Sequence, residues 1–121
     1  MKRKILVVED DPAIREMLLI LLNRAGFQAD GCETAKDGIA AYRAATPELV
    51  IIDMGLPDMN GLSAAQEMGM YRGCGVPFIF LTGQHDPMTR GECLHHGANA
   101  YINKPINSED FLGRVKGALQ A

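Results

Sequence analysis

Clustered basic charge is missing from this chain: beyond the first four residues there is no run of Lys or Arg. Direct nucleic-acid binding, which draws on a basic patch, is therefore not expected. No apolar run approaches the length needed to span a bilayer, which removes membrane insertion as a function. The positive start Met1-Lys2-Arg3-Lys4 is followed by only four apolar residues, too few for a signal peptide. A cytoplasmic location is the expectation. Cysteines are few: Cys32, Cys74 and Cys93 are odd in number and lack metal-ligand spacing, so they read as reduced, small hydrophobic residues. Neither a Gly-x-Gly-x-x-Gly nor a Walker-type glycine loop is present, which disfavours nucleotide binding. Internal linkers and low-complexity tracts are also absent. The 121 residues, 47% hydrophobic and 22% charged with a net charge of −3, suit one domain over residues 1–121 with a single core.

What the chain does have is a series of short apolar runs that end in polar residues. Leu49-Val50-Ile51-Ile52 runs into Asp53, and Ile5-Leu6-Val7-Val8 runs into Glu9-Asp10-Asp11. Val76 to Leu81 ends in Thr82-Gly83, and Ala100 to Asn103 in Lys104-Pro105. A weaker run, Phe27 to Cys32, alternates apolar and polar residues and suits a sheet edge. Runs that are apolar on both faces belong to a parallel sheet covered by helices on each side.

Helical signals fill the intervals. Asp11 suits an N-cap and Pro12 a first helical position, Ile14, Met17, Leu18, Leu21 and Leu22 form an inner face, and Gly26 is a stop. Thr34 and Asp37 resemble a capping box, and that helix must end before Pro47. The turn-rich loop Gly55-Leu56-Pro57-Asp58-Met59-Asn60-Gly61 leads into a helix expected over Leu62 to Tyr71. Asp86-Pro87 can start a fourth helix of poor propensity, expected to be the least stable. Asn107 or Ser108 can cap a last helix whose inner face is Phe111, Leu112, Val115 and Leu119. Strict β-α alternation, five times over, predicts a single flavodoxin-like, doubly wound (βα)5 domain with a parallel sheet in the order 2-1-3-4-5.

In such a sheet Glu9, Asp10, Asp53, Thr82 and Lys104 all emerge at the carboxyl edge, where open α/β folds place their ligands. Three neighbouring carboxylates repel one another unless a cation joins them. The ligands on offer are hard oxygens, without His or Cys, which favours Mg2+ over zinc or copper. A magnesium ion, a lysine, a hydroxyl and a free carboxylate equip a site for phosphoryl transfer, which rests on positioning and on neutralising spread charge. The carboxylate itself can be the nucleophile and yield an aspartyl phosphate.

Along its whole length the chain resembles the receiver domain of two-component response regulators. The resemblance is carried by Val7-Val8-Glu9-Asp10-Asp11, the stretch from Ile52 to Gly61, Leu81-Thr82-Gly83, Gly97-Ala98, Tyr101 and Lys104-Pro105. It implies that Asp53 is the phosphoacceptor. It further implies that Glu9, Asp10, Asp53 and the backbone carbonyl of Gly55 hold Mg2+, with Asp11 left as a helix cap. Lys104 is implied to pair with the phosphoryl group, with Thr82, Gly83 and Met54 also around it, and the Lys104-Pro105 peptide to be cis. Thr82 and Tyr101 match a switch pair, in which the ring turns inward when the phosphoryl group draws the Thr82 hydroxyl. The expected output surface is the face made by the fourth helix, fifth strand and fifth helix. Implied partners are a sensor histidine kinase or histidine phosphotransfer protein, and a downstream effector protein or attached output domain.

The chain departs from relatives that dimerise through charge pairs on that face. Asn99 and Ala100 stand where two acids are common, Arg90 is retained, and Asp86 and Asp110 would repel where a lysine and an acid pair elsewhere; this dimer is not expected. Gly55 and Gln84 are candidates for setting the dephosphorylation rate. His95 and His96 read as exposed residues suited to a helix C-terminus. Two other functions compete with the self-phosphorylating switch, which is not an enzyme acting on an external metabolite. One is a receiver-like binding module acting without phosphorylation, although the acceptor, the acid pair and the lysine are all retained. The other is a small aspartyl-phosphate phosphatase, for which Asp53-Met54-Gly55 lacks a second acid and the chain has no room for a cap domain.

Overall fold

The computed structural model describes residues 2–71, 73–83 and 87–120, the side chains of 87–90 excepted. Its elements alternate as expected: β1 (Lys4–Val8), α1 (Pro12–Arg24), β2 (Gln28–Cys32), α2 (Ala35–Ala44) and β3 (Leu49–Asp53). They continue with α3 (Gly61–Glu67), β4 (Phe78–Thr82), α4 (Pro87–His96), β5 (Ala100–Asn103) and α5 (Ser108–Gln120). The strands pair in parallel in the order β2-β1-β3-β4-β5, which is the doubly wound arrangement read from the alternation.

Successive strand residues face opposite sides, so each strand feeds two cores. Ile5, Val7, Leu49, Ile51, Ile79 and Leu81 meet Leu18 and Leu22 of α1 and Phe111 and Val115 of α5. Leu6, Val8, Val50, Ile52, Phe78 and Phe80 meet residues of α2, α3 and α4 on the other side. β2, at the edge, is the polar exception, with Gln28 and Asp30 exposed. Among the described residues, no helix is long and apolar enough to cross a membrane.

Local chemistry sets the boundaries. The Asp11 carboxylate accepts the Ala13 and Ile14 N–H groups at 2.9 and 3.3 Å, and Pro12 occupies the first turn. Gly26, at φ +98°, ends α1, with its N–H on the Asn23 carbonyl and that of Phe27 on the Leu22 carbonyl. Asn107 Oδ1 accepts the Asp110 N–H at 2.9 Å and opens α5.

Three expectations are corrected. α3 stops at Glu67 rather than Tyr71, because Gly69 takes φ +80° and the Gly69 and Met70 N–H groups turn back onto Gln66 and Ala65. β4 begins at Phe78 rather than Val76, since Pro77, just before it, has no N–H to give the ladder. His95 is exposed, but His96 is half-buried: its Nε2 lies 2.6 Å from the Met70 carbonyl oxygen and its ring meets Phe78 edge-on. The link between α3 and β4 passes under the end of α4 and supplies that carbonyl.

Candidate functional site

Because β1, β3, β4 and β5 run parallel, their carboxyl ends bring Glu9, Asp53, Thr82 and Lys104 to one edge. Glu9 is fully buried there. Its Oε1 lies 2.7 Å from Lys104 Nζ, and its Oε2 accepts the Asp11 N–H at 3.1 Å. Arg15 donates to the Glu9 carbonyl at 2.8 Å, which steadies the turn into α1. Asp53, 4% exposed, places Oδ1 3.1 Å from the same Lys104 Nζ. Asp10 is exposed beside them, and carboxylate oxygens of Glu9, Asp10 and Asp53 lie within 4.8 Å of one another. Lys104 is held by its own N–H on the Thr82 carbonyl at 2.7 Å, and the Lys104–Pro105 peptide is cis.

Three acids against one lysine leave an excess of negative charge, with Glu9 and Asp53 buried and Asp10 exposed. Burial pushes the Glu9 carboxyl above its ordinary range; Lys104 opposes the shift and Asp53 adds to it. Burial likewise raises Asp53, again against Lys104 and with help from Asp10. For Lys104, burial disfavours the ammonium, but the two carboxylates outweigh it and its pKa rises. A hard divalent cation among these oxygens would remove the repulsion, so the donor set fits magnesium.

Above Asp53 opens a cleft of about 690 Å3, walled by Thr82, Gly83, Asn60, Leu62, Glu92 and Tyr101. Gly55 is exposed at its rim, and a Cβ there would stand 3.8 Å from Asp53 Oδ2, an ordinary contact. Gly61 is different: a Cβ would meet the Asp53 carbonyl oxygen at 2.6 Å, so only glycine fits under the end of β3. The Met54 N–H is already given to the Leu81 carbonyl at 2.8 Å, so what Met54 offers the cleft here is its half-buried side chain. Thr82 is buried at the end of β4. Tyr101 is turned inward at 5% exposure, and its hydroxyl has no hydrogen-bond partner among the described residues. Gln84, Asp86 and the Arg90 side chain lie outside the described residues.

Sequence patterns did not single out Glu92, Leu62 or Asp58. Glu92 and Leu62 come to the cleft from α4 and α3, which no local spacing signals. Asp58 reaches across to α2, where its Oδ1 and Oδ2 accept the Ala35 and Lys36 N–H groups, each at 2.9 Å. The Thr34 hydroxyl accepts the Asp37 N–H at 3.1 Å, as the capping box predicts, so the pattern accounted for only part of that helix start.

The fold and the edge cluster define a doubly wound α/β domain with an acid-lysine site at the carboxyl ends of its strands. The chain belongs to the response regulator receiver domain family, whose model matches residues 5–116. It is 34% identical over 120 residues to the DNA-binding response regulator MtrA of Mycolicibacterium smegmatis, covering 99% of this chain and 52% of that protein. It is 37% identical to the transcriptional regulatory protein KdpE of Mycobacterium tuberculosis, covering 96% of this chain and 50% of the relative. The chain thus spans about half the length of the curated relatives it matches. A CheY-like receiver domain from Methanospirillum hungatei superimposes with a TM-score of 0.91 at 30% identity, covering 99% of this chain and 95% of that one.

Proposed function

We propose that residues 1–121 act as a phosphorylation-controlled switch of a two-component or phosphorelay system. The observation that carries the reading is the position of Asp53. It is a buried carboxylate at a strand end, 3.1 Å from Lys104 and within 4.8 Å of two further acids, at the floor of an open cleft. In this reading Asp53 attacks the phosphorus of a phosphohistidine on a sensor kinase or a histidine phosphotransfer protein. The phosphorus–nitrogen bond breaks and the imidazole leaves. Glu9, Asp10, Asp53 and the Gly55 carbonyl would hold Mg2+, which supplies charge neutralisation for the transferring phosphoryl group. Lys104 turns from the carboxylates to the new phosphoryl oxygens, joined by the Thr82 hydroxyl and the Gly83 backbone. The Met54 N–H contributes only if it leaves the Leu81 carbonyl.

The product reports through Thr82 and Tyr101 to the face made by α4, β5 and α5, where a downstream effector protein or an attached output domain would read it. Water removes the phosphoryl group with Gly55 and Gln84 setting the rate: Gly55→Lys and Gln84→Ala variants that lose phosphate at the wild-type rate would refute that assignment. The domain catalyses its own modification and is not an enzyme acting on an external metabolite. Intact-mass measurement after incubation with acetyl phosphate and magnesium tests the central step. A magnesium-dependent phosphoryl adduct on wild type and none on Asp53→Asn is expected.

The competing reading is a binding module that acts without phosphorylation. A folded wild type that takes no adduct, beside a control receiver that does, would decide for that reading.

A further inference from the structure

The proposed metal site draws one ligand from the backbone, the carbonyl of Gly55, and that residue has the least means of fixing its own orientation. It is exposed, has no side chain, and as glycine is free to take conformations closed to other residues. Its direction must be set by the rest of its loop. The loop from Met54 to Gly61 is closed at its base by the Gly61 N–H on the Met54 carbonyl at 3.0 Å. On the α3 side, Asn60 Oδ1 accepts the Ser63 N–H at 2.8 Å. Leu56 is buried in the core beside α2 and α3. The outer turn of the loop is held by Asp58, whose two carboxylate oxygens each accept one backbone N–H of α2, from Ala35 and Lys36.

We infer that Asp58 is a positioning residue for the metal site: by tying the loop to the start of α2 it fixes the direction of the Gly55 carbonyl. Both bonds are charge-assisted, and the carboxylate sits at the positive end of a helix. Those two N–H groups hold the Asp58 carboxyl below its ordinary range, so the tie persists through neutral pH. With the tie cut, the outer turn is left to the packing of Leu56 and Met59, and the carbonyl samples directions that miss the cation.

The inference rests on the proposed metal site. It is tested by isothermal titration calorimetry of magnesium at neutral pH, with thermal unfolding followed alongside. Asp58→Ala should weaken magnesium binding roughly tenfold, the low end of the range for groups that orient a ligand. Asp58→Asn, which keeps one acceptor oxygen and the shape of the side chain, should lose less and guards against a folding failure of the alanine variant. Thr34→Ala is the control, because Thr34 caps the same helix without touching the loop's outer turn. It should lower the unfolding temperature and leave the magnesium constant unchanged. Magnesium binding by both Asp58 variants at the wild-type constant overturns the inference. So does a Thr34→Ala loss as large as that of Asp58→Ala. If wild type itself binds no magnesium, the metal site falls and the inference with it.

Discussion

The two faces of the sheet are packed from different materials. Under α1 and α5 the buried residues described are Ile, Leu, Val, Phe and Ala, with Met17 at the margin. Under α2, α3 and α4 the core includes Met68, Met70, Cys93 and Tyr101, with Met54, Met59, Cys32 and Cys74 at its margin. Branched side chains settle into few rotamers, whereas methionine adapts to the space it is given. The loop after Asp53 joins the molecule through Met54, Leu56 and Met59, all on the adaptable side, and Tyr101 lies there too. Cys93 Sγ of α4 touches Met54 Sδ, one residue beyond Asp53, at 3.7 Å. By composition the first face should be the more exacting and the second the more tolerant of repacking.

The sharpest way to break this comparison is to cut into both faces. Leu18→Ala under α1 should cost about 4–5 kcal/mol in urea unfolding, near the top of the range for truncating a buried Leu or Met. Met70→Ala on the other side, at an equally buried position, should cost about 2–3 kcal/mol, because adaptable neighbours collapse into the space. Similar losses would mean that the two faces are equally exacting.

The next effect belongs to the edge. Lys104→Met leaves the buried carboxylates of Glu9 and Asp53 without their cation and should cost about 2 kcal/mol at neutral pH, discounted for the part of Lys104 that meets solvent. The loss should shrink in acid, as the two carboxyls take up protons. A loss that stays constant with pH would assign it to packing of the lysine stem instead.

A smaller effect appears in the pH dependence of the wild type without magnesium. Burial raises the folded-state pKa of Glu9 and of Asp53 above their ordinary 4.5 and 3.8. Between the ordinary and the raised values the native state binds more protons than the unfolded chain, so stability falls as pH rises through that window. Asp58 acts in the opposite sense: its lowered pKa contributes stability above 3.8 that is lost as pH falls through its folded value. Unfolding temperatures measured in a chelator should therefore pass through a maximum on the acid side of neutrality. A steady rise toward neutral pH would contradict the assignment of the two buried acids.

Much of this was legible in local pattern. The apolar runs gave the strands, and the residues that close them, Glu9, Asp53, Thr82 and Lys104, do converge. Asp11, Pro12 and Asn107 act as helix starts because capping is a local affair. What escaped depends on tertiary contact or on one backbone angle. The end of α3 turns on a left-handed Gly69, which the apolar Met70 beyond it concealed. His96 looked like a helix-end cation until the Met70 carbonyl passed beneath it. Asp58 sat in a turn-forming stretch, where an aspartate needs no further reason, yet its partners lie 22 and 23 residues away. Asn99, read only as the absence of an interface acid, accepts the Phe78 N–H at 3.2 Å and helps start β4.

The central claim is that the acids at the carboxyl edge are kept for a cation and a phosphoryl group, at a cost to the fold. Thermal unfolding of wild type and Asp53→Asn at neutral pH, with and without magnesium, tests it most directly. Without magnesium the variant should be the more stable, by about 1 kcal/mol, since one buried charge is gone and Lys104 keeps Glu9. Magnesium should then raise the wild type and move the variant little. A variant less stable than wild type in chelator, together with a wild type indifferent to magnesium, would contradict the account.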